Sequence, residues 1–167
     1  MKKLITLLLL VSATSLVFGQ SKTIEAFHSK YKEDRDAKVI SLNGSLFKLM
    51  ASIASFDESD EDLKTIGRIA DGITSMEILA IPMYKTGFDH KSLDDMRSQL
   101  KGEKYEELMT VKEGSDRIYF MTQGTNSQIK NMLVLIKEDD EFMVMNINGS
   151  LDMKDLAYLA KQRKNWN

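Results

Sequence analysis

The sequence contains no cysteine. That excludes disulfides, thiol catalysis, thiolate metal sites and a lipid anchor on a cysteine behind a signal peptide. Proline occurs once, as Pro82, and no Pro/Gly/Ser-rich linker divides the chain, so one domain is expected. Histidine occurs twice, as His28 and His90, in separate segments. No H-x-x-x-H, G-x-S-x-G or phosphate-cradling glycine loop is present. Neither sign of charge dominates: 23 basic and 25 acidic residues leave a formal charge of −2. Without a basic stripe there is no footprint for a phosphate backbone, and nucleic acid is not expected as a partner.

Long apolar runs are also scarce. The one at Leu4 to Val11 is too short to span a hydrocarbon core of ~30 Å. It follows Met1-Lys2-Lys3 and precedes Val17-Phe18-Gly19-Gln20, the basic, apolar and small-residue order of a secretory signal peptide. Residues 1–19 are therefore expected to be removed on export, to the periplasm or beyond, with no stable membrane anchor. Taking 19 residues from 167 leaves a 148-residue domain over residues 20–167. The loss of Lys2 and Lys3 moves its charge to −4.

What remains reads as an α+β domain. Ile24, Phe27, His28 and Tyr31 mark an amphipathic helix over 22–33. Val39 to Leu42 is a short strand, after which Ser45 is expected to cap a helix burying Leu46, Phe47, Leu49, Met50 and Ile53. Ser59-x-x-Asp62 resembles a capping box opening a helix with the stripe Leu63, Ile66 and Ile69, ending near Gly72. Ile73 to Ile81 is extended and stops at Pro82. Asp89 or Ser92 begins a helix burying Leu93, Met96 and Leu100. Strands at about 105–112, 116–123, 129–137 and 141–148 are separated by gaps that allow only hairpins, which predicts an antiparallel meander joined by one or two earlier strands. A helix over Asp152 to Lys164 is expected to turn Leu156, Leu159 and Tyr158 inward, with Lys161, Arg163 and Lys164 at its negative end. Strands 129–137 and 141–148 are apolar on both faces, so helices should cover one side and another helix or a partner should shield part of the other.

One pattern recurs. Val39-x-x-Leu42-Asn43-Gly44-Ser45-Leu46 returns as Val144-x-x-Ile147-Asn148-Gly149-Ser150-Leu151. Turn chemistry at two strand-to-helix corners, or a duplication, would account for it.

No residue set reads as a catalytic, cofactor-binding or metal site. The Asp57 to Asp62 run fails the calcium-loop pattern, which needs glycine at its sixth position and glutamate at its twelfth, where Asp62 and Arg68 stand. Adjacent Glu106 and Glu107 on a strand would point to opposite faces. Met143-x-Met145 offers two thioethers on one strand face, suited to Cu(I) but read by default as adaptable core filler together with Met109, Met121 and Met132. A hydrolase would have to assemble distant residues such as Ser45, Ser150 and His90. The expectation is thus a non-enzymatic binding or interaction module of the cell envelope, with an envelope protein or a hydrophobic ligand as partner. A carrier of a lipid or hydrophobic peptide is the alternative and a small hydrolase the third.

Several stretches together carry a family resemblance: the signal-like start, Phe27-x-x-x-Tyr31, Val39-Ile40-Ser41 running into Phe47-x-Leu49-Met50, Gly72-Ile73 to Leu79, and Asn146-Ile147-Asn148-Gly149-Ser150-Leu151-Asp152. Over most of residues 22–163 the chain resembles the domain of unknown function 4252 family of small exported bacterial proteins. The resemblance implies an exported α+β domain and no particular activity. Many members carry a lipoprotein cysteine, and this chain departs from them in having none.

Overall fold

The computed structural model describes residues 21–56 and 59–162, with Leu159, Ala160 and Gln162 described as backbone only. The signal-like segment, Asp57 and Glu58, the Leu159 side chain, and Arg163 and Lys164 lie outside the described residues. The elements are α1 (Lys22–Tyr31), β1 (Lys38–Asn43), α2 (Gly44–Ala54), α3 (Glu61–Gly72), β2 (Ile73–Pro82), α4 (Met83–Thr86), α5 (His90–Gly102), β3 (Glu106–Glu113), β4 (Asp116–Gly124), β5 (Gln128–Lys137), β6 (Glu141–Asp152) and α6 (Met153–Gln162). The architecture is α+β.

The four C-terminal strands form the expected antiparallel meander, and β2 and β1 extend it beyond β6. Six strands stand in the order β1-β2-β6-β5-β4-β3, every neighbouring pair antiparallel. Alternation along each strand sends side chains to two faces. On the first face Leu79, Ile81, Tyr119, Met121, Leu133, Leu135, Phe142 and Val144 meet α1 through Ile24, Phe27 and Tyr31, and α5 through Leu93, Met96 and Leu100. Phe27 stands edge-on to Phe142 at 5.3 Å between centroids, and Phe88 stacks on Phe142 at 4.4 Å. On the second face a smaller core joins Leu42, Met76, Met132 and Ile147 to Phe47 of α2, Ile69 of α3, and Met153 and Leu156 at the start of α6.

Capping chemistry places the helix starts, and two of them differ from the sequence reading. Asn43, not Ser45, caps α2, its Oδ1 accepting the Ser45 N–H at 3.1 Å. Asp60, not Ser59, caps α3, its Oδ1 accepting from the Asp62 and Leu63 amides at 2.9 and 3.0 Å. One carboxylate oxygen that takes two orphan N–H groups at the positive helix end outcompetes a hydroxyl. Asp89 caps α5 through the Ser92 N–H at 2.7 Å. The short α4 directly after Pro82 has no counterpart in the sequence reading.

The repeated Asn-Gly-Ser-Leu pattern makes two different structures. The first copy hands β1 over to α2, whereas the second stays inside β6, which runs on to Asp152. Its glycine serves close approach rather than a turn. A Cβ on Gly149 would stand 2.2 Å from the Gly72 carbonyl oxygen, and one on Gly72 would stand 2.5 Å from that of Ser150. The junction of α3 and β2 therefore presses its backbone directly onto β6.

Candidate interaction surface

The two faces of the sheet are finished differently. Along β6, Phe142 and Val144 on the first face are sealed, while Met143, Met145 and Ile147 on the second are only half-buried. Register sets Met143 between Ala80 and Ile136, and Met145 between Ile78 and Val134. It continues the row outward through Ile118 and Phe120 on β4 to Val111 and Met109 on β3. Ile40 on β1 stands opposite Ile78. Of these, Ile40, Ile78, Met109, Val111, Ile118, Phe120, Ile136, Met143 and Met145 keep solvent exposure and belong to neither packed core. The helices on this side cover one end of the sheet, around Met76, Ile147 and Met132, and the rest is an open apolar array.

Those helices add a second apolar area on the same side. In α2 only Phe47 and Ala54 are buried, while Leu46, Leu49, Met50 and Ile53, expected in the core, are exposed. In α3 the buried residues are Thr65, Gly67 and Ala70, while Leu63 and Ile66 stand out. Apolar residues take more than half the circumference of α2, so periodicity alone could not choose its inward face. The choice is made by close packing of α2 on α3, where a Cβ on Gly67 would meet that of Ala54 at 3.2 Å. Between the two helices a cleft of about 590 Å³ is lined by Lys48, Ser52, Ser55, Lys64, Arg68 and Asp71 together with Ala51, Ala54 and Gly67. Arg68 is tied there to Asp155 at 2.8 Å and to Glu61 at 3.6 Å.

The methionines correct an expectation. Met121 is fully buried, but Met132, Met143, Met145 and Met109 point to the second face and keep exposure, joined there by Met76. Met76 and Met132 lie at the end the helices cover, while Met109, Met143 and Met145 put flexible thioethers on the open part, adaptable contact surface rather than sealed core.

The remaining candidates do not converge. His90 opens α5 on the surface, near where β2 ends, while Ser45 and Ser150 flank the beginning of β2. The ten residues of β2 separate the two ends by roughly 30 Å. His28 does meet a carboxylate, its Nε2 lying 3.1 Å from Glu77 Oε1. The space around them, with Asn146, Ile24 and Phe27, is only about 10 Å³, one water at most and no room for a substrate. Glu106 is exposed at the edge, and Glu107 turns to Arg97 at 2.5 Å and to Thr110. Arg97 lies over the Tyr119 ring at 3.9 Å, so this cluster ties α5 to β3 and β4. Among the described residues no group of three or more His, Asp or Glu is placed to hold a metal ion, and no helix is long and apolar enough to cross a membrane.

Two shifted groups lie under the first face. Burial raises Glu103, but hydrogen bonds from Ser21 and Thr23 outweigh it and hold the carboxyl below its ordinary range. Thr23 donates from both its amide and its hydroxyl, at 3.0 and 2.7 Å. Burial, with the Glu103 charge nearby, pushes the Tyr105 phenol up to about 12. Glu103 thereby fastens α1 to the residue that follows α5, and Tyr105 is buried in the first-face core.

No curated protein and no solved structure matches the chain. A family model described as "Domain of unknown function (DUF4252)" matches residues 31–159, from the end of α1 through β1–β6 into α6. The match takes in the whole sheet and the open apolar surface, and this chain belongs to that family.

Proposed function

We propose that the protein is a non-enzymatic interaction module of the cell envelope, exported through its first nineteen residues, and that it works through the apolar second face of its sheet and the adjoining α2–α3 stripe. One observation carries the reading: the central strands are apolar on both faces, yet the helices cover the second face only at one end. Monomeric proteins seldom expose contiguous apolar patches above about 300–600 Å² unless the patch binds something. A pleated sheet offers a flat array rather than a cavity, which suits a macromolecular partner. Photoreactive residues placed singly at Met145 and Ile53 should give adducts in the native envelope, while one at exposed Glu25 of α1 should not. Equal labelling at all three positions would defeat the reading. Export carries its own test: the mature chain should begin near Gln20 and appear in the soluble envelope fraction, and retention of Met1–Gly19 would refute it.

The half-exposed methionines on the open face support a second reading, carriage of a lipid or hydrophobic peptide, since thioethers repack around varied apolar shapes. A small-molecule site needs roughly 300 Å³ or more of cavity. Native mass spectrometry of protein taken from its own envelope should then show bound lipid. Bare protein at the mass of residues 20–167 would count against carriage.

A further inference from the structure

α2 carries one charge, Lys48, in eleven residues, and is apolar on two sides. Phe47, Ala51 and Ala54 turn toward the body, while Leu46, Leu49, Met50 and Ile53 turn outward, Ile53 being 60% exposed; Phe56 in the turn after α2 is 86% exposed. Leu63 and Ile66 of the adjoining α3 are exposed as well. Apolar residues on two sides of a helix are normally covered on both, and α2 is covered on one. We propose that a second copy of this chain covers the other, the two α2–α3 hairpins meeting apolar stripe to apolar stripe about a twofold axis. The proposal rests on the reading of this surface as an interaction surface.

Three observations select a second copy. The first is spacing. Positions 46, 49/50, 53 and 56 repeat every three to four residues, the period of a helix-on-helix seam. In a twofold interface each copy supplies that helix to the other.

The second is area. The seven outward side chains leave about 700 Å² of apolar surface, on the order of 100 Å² each, beyond an ordinary monomer patch and close to the ~800 Å² each partner gives to a standard interface.

The third is charge. Asp60, Glu61 and Asp62 follow the C-terminal end of α2, and Lys48 lies in its first half. A twofold axis across α2 runs the two copies antiparallel, setting each acidic turn toward the positive N-terminal end of the other α2. The two acidic turns then stand near opposite ends of the paired helices, each eleven residues or about 16 Å long, against a Debye length of ~8–10 Å. The same acidic turn beside the stripe disfavours an anionic lipid surface, which recruits helices through Lys and Arg.

Because the chain has no cysteine, single introduced cysteines report cleanly. The full chain should sediment as a dimer at 10–100 µM (about the range for a micromolar to submicromolar Kd). Ile53→Asp should weaken dimerisation at least tenfold. Phe56→Ser, at a side chain almost free in the protomer, should do so without altering the circular dichroism spectrum. Ile53→Cys should form a disulfide-linked dimer under mild oxidation, and Lys101→Cys on the last turn of α5 should not. A monomer throughout that range, or a dimer indifferent to both Ile53→Asp and Phe56→Ser, overturns the proposal. If the chain is monomeric while a photoreactive group at Ile53 still captures another envelope component, the interaction surface stands and the second copy is wrong. If nothing is captured either, both readings fail.

Discussion

Gly149 and Gly102 respond to an added methyl group in opposite ways, and only packing tells them apart. At Gly149 a Cβ would meet the Gly72 carbonyl oxygen at 2.2 Å, backbone that cannot swing aside, whereas Gly102 has nothing within 4 Å. Gly149→Ala should therefore cost about 1–3 kcal/mol or more through overpacking, and Gly102→Ala should be neutral or gain up to about 1 kcal/mol. Urea midpoints of the two variants check this, and equal midpoints would mean that the junction is looser than described. Glu103 provides a pH-dependent case. Its carboxyl is held below the ordinary 4.5, so its contribution is present above that value and is lost as pH falls through the lowered folded one. Glu103→Gln should destabilise by roughly 1 kcal/mol at pH 7, and the gap to wild type should close as the pH is lowered below about 4. A constant gap from pH 7 to pH 3 would show that the carboxylate charge is not what Thr23 binds.

Among the elements, α5 and β3 show how far pattern reading extends. The stripe Leu93, Met96, Leu100 was read from spacing and is buried as expected, because the other residues of α5 are mostly polar and leave one inward choice. Leu93, 1% exposed, should lose about 2–5 kcal/mol on truncation to alanine. Leu108 on edge strand β3 is 50% exposed, and Leu108→Ala should stay within about 0.5 kcal/mol of wild type. Thermal unfolding of the pair measures the contrast. α2 is the counterexample: its spacing turns Leu46, Phe47, Leu49, Met50 and Ile53 inward, and four of these five stand outside the core. Hydrophobicity said that the helix wants to be covered but not by what. The His28–Glu77 pair was equally invisible, since no sequence spacing relates residue 28 of a helix to residue 77 of a strand.

For the whole molecule the decisive feature is the seam between β2 and β6. It pairs Ile81 with Phe142 and Ile73 with Gly149, and it brings the β1–β2 half onto the meander. Loops this long must close before the seam repays their entropy. Refolding should accordingly run on the millisecond-to-second scale rather than in microseconds. Stopped-flow far-ultraviolet dichroism would follow it, and microsecond refolding would place the rate-limiting contacts within local hairpins instead.

Local chemistry already dictated most of the elements: periodicity fixed the α1 and α5 stripes, short turn-rich gaps fixed the meander, and the missing cysteine removed whole classes of mechanism. Those features act over a few residues and are written in the chain. The order of strands around β6, the reason for Gly72 and Gly149, the grouping of the methionines and the bare side of α2 depend on which distant surfaces meet. Such meetings are settled by competition among apolar faces for a limited amount of cover. Here the described helices leave part of the second face open, and that shortfall is what the proposed interaction surface rests on.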